Sequence, residues 1–265
     1  PQKPEYRTLR GSINMAMNNV DAALEDATFV LEQNPQNPEA LKLRGQIHLV
    51  KGEYDLSLAD WNTVETLAGS SLEVHYEKGR VLYAKKQFQQ AIDEWEHSLA
   101  FNDKQSLIYA LEGEAYFNMG ESAKAVEKIL KAISLDDKNP QFFMSLGLVY
   151  NQMEKYQDAL ASFSSAIQLD AKSGSSYFYR GKINHVLNRM NEAIADYTSA
   201  LGLIANNAEI YNSRGTSYLS SKNIEAAEAD FTKALEIDPT YIPARVNMGL
   251  VMLQKDNTKG AIALY

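Results

Sequence analysis

The chain has 265 residues, 26 basic and 34 acidic side chains for a net charge of -8, and no cysteine. That length exceeds what one compact core organises comfortably. The acidic balance argues against a nucleic-acid footprint, and the missing thiols exclude disulfides and cysteine chemistry.

One glycine recurs along the whole chain. Gly11, Gly45, Gly79, Gly113, Gly147, Gly181, Gly215 and Gly249 stand 34 residues apart, with no insertion or deletion. A fixed period of this size marks an array of one supersecondary unit whose neighbours bury each other's apolar faces. With the glycine at position 8, the units run 4–37, 38–71, 72–105, 106–139, 140–173, 174–207, 208–241 and 242–265, the last incomplete. They are expected to form a single solenoid. No stretch is long and apolar enough to span a bilayer.

The spacing predicts two helices per unit. In the unit Pro140–Ser173, Phe143, Leu146, Gly147 and Tyr150 recur at i, i+3, i+4 and i+7, one face of a helix. Ala159, Leu160, Phe163, Ala166 and Ile167 make a second helical face, after the turn-forming segment Met153–Tyr156. The other units follow the same template. Position 20 is small (Ala23, Ser57, Ala91, Ala125, Ala159, Ala193, Ala227, Ala261). Position 24 is bulky from the second unit on (Trp61, Trp95, Ile129, Phe163, Tyr197, Phe231, Tyr265). Small residues at 8 and 20 let the paired helices approach closely. Pro35 and Pro239 fall where a helix must stop. The first unit departs from the template at Arg7, Asn14 and Ala27, which suggests a polar N-terminal cap.

This pattern resembles the tetratricopeptide repeat family, with small residues at positions 8, 20 and 27 and large ones at 4, 11 and 24. The resemblance implies an all-α, right-handed superhelical α-solenoid of stacked helix-turn-helix repeats.

Positions 7 and 23 switch together along the chain. The first three units pair Arg10, Arg44 and Lys78 with Asp26, Asp60 and Glu94. The fourth reverses both signs (Glu112, Lys128), and the fifth has Leu146 and Ser162. The sixth and seventh return to Arg180 with Asp196 and Arg214 with Asp230, and the eighth has Met248 and Leu264. Matched switching implies an ion pair within each repeat, whose value lies in register more than in stability.

Catalytic motifs are missing. His48, His75, His97 and His185 have no partner at metal-ligand spacing of the His-Glu-x-x-His kind, and no phosphate-cradling glycine loop or nucleophile motif occurs. His48, at position 11, reads as a core or hydrogen-bonded side chain. The chain is therefore expected to need no cofactor and no metal, and to be no enzyme.

The family resemblance implies that positions 2, 5, 9 and 12 of each first helix face a concave groove, turned away from a buried 4-7-8-11 stripe. On that stripe stand Tyr76, Arg80, Tyr83, Leu107, Glu114, Phe117, Met144, Leu148, Phe178 and Lys182. Aromatic and methionine side chains with a few charges suit a bound peptide or protein segment. A chaperone-type carboxylate clamp does not fit: Gln46, Glu77, Leu107 and Leu111 stand where Asn, Asn, Lys and Arg are required. The expected function is a non-catalytic scaffold with a protein or peptide ligand, and neither nucleic-acid binding nor membrane insertion. The chain stops at Tyr265 inside the second helix of the eighth unit, leaving an apolar end face. That face is expected to be continued by further chain, which could carry an enzyme that the repeats target, or to be covered by a partner or a second copy in a self-assembling array.

Overall fold

The computed structural model describes residues 3–264. They form sixteen helices and no strand, arranged as successive helix-turn-helix pairs. The chain divides into two compact units, Pro1–Leu135 and Asp136–Tyr265. In the first, α1 (Pro4–Ala16) pairs with α2 (Val20–Gln33), α3 (Pro38–Val50) with α4 (Tyr54–Ala68), α5 (Leu72–Ala84) with α6 (Phe88–Phe101), and α7 (Ser106–Asn118) with α8 (Ser122–Leu135). In the second, α9 (Pro140–Gln152) pairs with α10 (Tyr156–Leu169), α11 (Gly174–Val186) with α12 (Met190–Leu203), α13 (Ala208–Ser220) with α14 (Ile224–Ile237), and α15 (Ile242–Gln254) with α16 (Thr258–Leu264). Within each unit every pair also packs on the next.

The helix boundaries have repeating local causes. Position 34 supplies the N-cap. Asn37, Ser71, Ser173 and Asn207 accept from the backbone N–H of the third residue onward, and Asn139 from that of the second. These bonds satisfy donors that the first helical turn leaves orphaned. Each first helix ends at position 13, and two residues later, at position 15, the backbone turns left-handed. Asn18, Gly52, Lys86, Gly120, Glu154, Asn188, Lys222 and Asp256 all have φ between 57° and 79°. In the third repeat the Gln87 N–H then reaches back to the Leu82 carbonyl at 2.9 Å and the Lys86 N–H to that of Tyr83 at 2.8 Å, closing the helix end.

The recurring glycine is explained by what lies on it. A Cβ at Gly79 would stand 2.3 Å from the Trp95 indole nitrogen, and one at Gly147 2.6 Å from the Phe163 ring. Gly45 with Trp61, Gly113 with Ile129, Gly181 with Tyr197 and Gly215 with Phe231 repeat the contact. The bulky residue at 24 thus seats directly on the helix at 8. Tyr265, the corresponding residue of the eighth repeat, lies outside the described residues.

Burial shifts the expected core stripe. From the second repeat on, positions 3 and 10 of the first helices are buried like the glycine at position 8: Ile47 packs with Ala23 and Ala27, and Val74 and Val81 with Trp61 and Val64. Position 4 is instead only half-buried at Tyr109, Phe143, Tyr177 and Tyr211. The cause is that a first helix packs on two neighbours, its own second helix and that of the preceding repeat, so its apolar arc is wider than one stripe. The first repeat likewise differs from a polar cap. Arg7 and Asn14 turn inward to Asp26, at 2.8 and 3.5 Å. Tyr6, Leu9 and Ile13, at positions 3, 6 and 10, are exposed instead.

Candidate functional site

The charges at positions 7 and 23 meet within every repeat that carries them. Arg44 donates Nε and Nη2 to the two carboxylate oxygens of Asp60 at 2.8 and 2.7 Å, Arg180 grips Asp196 at 3.0 and 2.6 Å, and Arg214 grips Asp230 at 2.8 Å twice. Arg10 holds Asp26 in the same way. A planar guanidinium matches a carboxylate two bonds at a time. The Arg10 guanidinium, helped by Arg7 and opposed by burial, holds the Asp26 carboxyl below its ordinary value. Two of these arginines also reach the preceding repeat, Arg180 to Ser164 at 3.2 Å and Arg214 to Thr198 at 3.0 Å.

The reversed pair behaves differently. Lys128 Nζ lies 2.7 Å from Glu112 Oε2, yet neither Glu112 oxygen accepts an aligned hydrogen bond among the described residues, and the side chain is 0% exposed. Burial pushes the Glu112 carboxyl above its ordinary value, against the pull of Lys128.

The expected groove residues fall on the first helices of each unit. On α5, Tyr76 is half-buried with the exposed Arg80 guanidinium 5.8 Å from its ring, and Arg80 also donates to the buried Glu77 at 2.9 Å. Tyr83 packs edge-on against Phe88 and near Trp95, and its hydroxyl accepts from Asn118 at 3.0 Å. On α7, Leu107 is 49% exposed, while Glu114 and Phe117 are half-buried. In the second unit Met144 and Leu148 are half-buried against the cluster of Ala159, Phe163 and Ile183. Phe178 departs from the expected open stripe. It is 8% exposed, packed on Tyr179 and Tyr197, and Lys182 Nζ lies 5.1 Å above its ring. Position 5 also buries Ala110, so position 5 does not face outward in every repeat.

Two clefts open on these first-helix faces, one in each unit. The first, of about 530 Å³, is lined by Glu5, Thr8, Leu9, Ser12, Lys42 and Gln46, with Glu73 at its edge. The second, of about 190 Å³, is lined by Lys182, His185, Tyr197, Asn212, Ser213 and Thr216. Burial holds the His185 imidazole below its ordinary value, so it is neutral at pH 7 and bonds Ser217 at 2.8 Å. Sequence reasoning passed over position 6, where Leu9 and Ser213 join these walls. It also named no groove positions in the eighth repeat, where α15 exposes Leu250 and Leu253 at positions 9 and 12.

The histidines separate by role. His48 is buried, with Nδ1 against Glu53. His75 and His97 come together on α5 and α6 with their rings 5.3 Å apart. A linear His-Glu-x-x-His search misses this arrangement, because its members come from two helices.

The tetratricopeptide repeat models match residues 8–65, 111–175 and 152–208 in one form and 208–241 in another. The chain belongs to the tetratricopeptide repeat family. Tetratricopeptide arrays are protein-interaction scaffolds, typically non-catalytic, and that description applies to this chain at the level of the fold. Comparison with curated proteins gives no match. Among solved structures, the C-terminal part of a tetratricopeptide repeat-containing protein from Cytophaga hutchinsonii is similar at 19% identity and a TM-score of 0.70, over 91% of this chain and 99% of that one. A tetratricopeptide repeat protein from Parabacteroides merdae gives 16% identity and a TM-score of 0.67, over 95% and 100%. YrrB, described as having an unusual peptide-binding site, gives 18% identity and a TM-score of 0.59, over 69% and 95%. These likenesses establish the fold. No helix among the described residues is long and apolar enough to cross a membrane.

Proposed function

We propose that this tetratricopeptide protein is a non-catalytic adaptor that binds an extended protein or peptide segment along the first-helix faces of its repeats. In the first unit the contact residues are Tyr76, Arg80, Tyr83, Leu107, Glu114 and Phe117. In the second they are Met144, Leu148 and Lys182, with Phe178 as the buried support beneath Lys182. The observation that carries the reading is the set, within each unit, of half-exposed aromatic and aliphatic side chains and charges on the first helices, with a cleft beside Lys182 in the second. Such surfaces supply apolar anchors with a polar rim. The ligand is a polypeptide and not a nucleic acid, because the net charge is -8 and Lys42, Arg44, Lys78 and Arg214 are already neutralised by carboxylates.

Peptides selected from a random library against the wild-type chain would be titrated against Leu107→Ala/Phe117→Ala and Lys182→Glu. Tenfold or greater weakening, with the melting temperature little changed, is the expected result. Undiminished affinity in both variants would move binding to another face. Tyr83→Ala is the poorer probe, since its ring packs on Phe88 and near Trp95 and its loss lowers stability as well.

A second reading rests on Ile242, Leu250, Leu253 and Ile262, which are exposed on α15 and α16. Exposed large apolar side chains of this kind support self-association. A molar mass by light scattering that stays at the monomer value up to millimolar concentration would remove it.

A further inference from the structure

We propose that the third repeat holds a first-row transition dication, zinc being the reference case, between His75, Glu94 and His97. One ligand atom from each of these side chains lies within 4.8 Å of the other two. His75 comes from α5, and Glu94 and His97 stand one turn apart on α6.

The third repeat is built differently from the others at these three positions. At position 4, where the fourth, sixth and seventh repeats carry Tyr109, Tyr177 and Tyr211, it has His75. At position 26, where the second and seventh carry Thr63 and Lys233, it has His97. At position 23 it has glutamate in place of aspartate, one methylene longer. Position 7 matters as much. The arginines of other repeats occupy both oxygens of their aspartate, whereas Lys78 takes Glu94 Oε1 alone, at 2.8 Å. Glu94 Oε2 is thereby left to His75 Nδ1, at 2.6 Å.

The imidazole of His75 is fixed before any ion arrives. It is buried, its ring stacks 6.1 Å from Phe101, and Glu65 Oε1 lies 3.6 Å from its Nε2. Glu65 is itself held by Ser70 and Lys78, at 2.8 and 3.1 Å.

Two imidazoles and one carboxylate suit zinc, nickel or copper and are poor ligands for magnesium or calcium. Metal–nitrogen bonds of about 2.0–2.1 Å bring tetrahedral ligand atoms to roughly 3.3 Å from one another. Rotation of the exposed His97 side chain closes the remaining gap. Glu94 and His97 also line a cleft of about 340 Å³ with Lys78, Asp93 and Asn62, which gives the ion an entry path and room for a fourth, exchangeable ligand.

Calorimetric titration of the whole chain with zinc chloride tests the site. Wild type is expected to bind one ion saturably at micromolar or tighter dissociation constant and to show no heat with magnesium. His97→Ala, at an exposed position, should weaken binding tenfold or more while leaving the circular dichroism unchanged. His75→Tyr installs the side chain that three other repeats carry at this position, and should do the same while remaining folded. His185→Ala should leave the affinity at the wild-type value. No saturable binding in wild type, or affinity retained in both His97→Ala and His75→Tyr, would overturn the assignment.

Discussion

The fourth and sixth repeats make the same contact with opposite chemistry. Both place a charge from position 7 of the first helix against its counter-charge at position 23 of the second. In the sixth, Arg180 binds both oxygens of Asp196, Asn184 adds a bond at 3.0 Å, and Ser164 of the preceding repeat takes a further guanidinium hydrogen at 3.2 Å. In the fourth, the carboxylate is on the first helix, fully buried, and meets a single ammonium that makes no aligned hydrogen bond to it. The array therefore tolerates reversal of sign but not equivalence of quality. A planar fork anchored from several sides compensates its desolvation better than a point charge opposite a buried carboxylate.

The largest expected effect comes from what the two repeats share. A Cβ on Gly113 would meet Ile129 at 2.5 Å and the Ala125 carbonyl oxygen at 3.2 Å. One on Gly181 would meet the Tyr197 ring at 2.9 Å and Asp196 Cβ at 3.3 Å. Gly113→Leu and Gly181→Leu should each cost about 3 kcal/mol or more by forcing the paired helices apart, as measured by urea denaturation. If either change cost less than about 1 kcal/mol, the glycine would not set the helix approach, and the shared frame of the two repeats would be wrong.

The second effect separates them. Replacing Glu112 and Lys128 together by leucine and serine, the residues of the fifth repeat at these positions, should stabilise the protein at pH 7 by about 1–2 kcal/mol. The matching Arg180→Leu/Asp196→Ser replacement should destabilise it, because Asn184, 6% exposed, loses its acceptor. The pH dependence carries the sign. Folded Glu112 keeps its proton to higher pH than the unfolded chain does. Its contribution is therefore most favourable below the ordinary value of 4.5 and is lost as pH rises through the raised folded value. Asp26 in the first repeat runs the other way. Its stabilisation is present above 3.8 and disappears as pH falls through its lowered folded value. Denaturation midpoints followed from pH 3 to 8 should show the gap between the Glu112/Lys128 variant and wild type widening toward neutral pH. A constant gap would mean that Glu112 is not held protonated by burial.

The pairs themselves were legible in the sequence because their signs switch together, a pattern that needs no coordinates. The glycine period was legible for the same reason. Legibility failed where burial depends on side chains outside the helix that carries the residue. Phe178 occupies the position that leaves Tyr76 half-open, yet Tyr197 of the paired helix covers it. The burial of Ile47 depends on Ala23 and Ala27 of the preceding pair. The His75, Glu94 and His97 cluster escaped because its members lie 19 and 3 residues apart on two helices. Each occupies a position whose residue in several other repeats is an aromatic ring, an aspartate or a polar group, so comparison of the repeats column by column is the signal that finds it.

The smallest expected effect lies in the turn that ends each first helix. The fourth repeat has Gly120 at φ 79°, while the sixth has Asn188 at 59°. Glycine enters this region without a Cβ penalty, and asparagine enters it more readily than other side chains. Gly120→Ala should therefore cost about 1 kcal/mol, and Asn188→Gly should change stability by no more than a few tenths. The third and fifth repeats place Lys86 and Glu154 in the same conformation, at 62° and 57°, with neither advantage. Glu154→Gly should gain about 0.5–1 kcal/mol, the relief of the Cβ contact being partly offset by the larger entropy of glycine in the unfolded chain. A thermal melt of Glu154→Gly that shows no gain would mean that the turn is held by its reverse hydrogen bonds, such as Lys155 N–H to Tyr150 O at 2.9 Å, strongly enough to make the residue type irrelevant. In that event the fourth and sixth repeats would differ in their charge pairs and not in the joints between their helices.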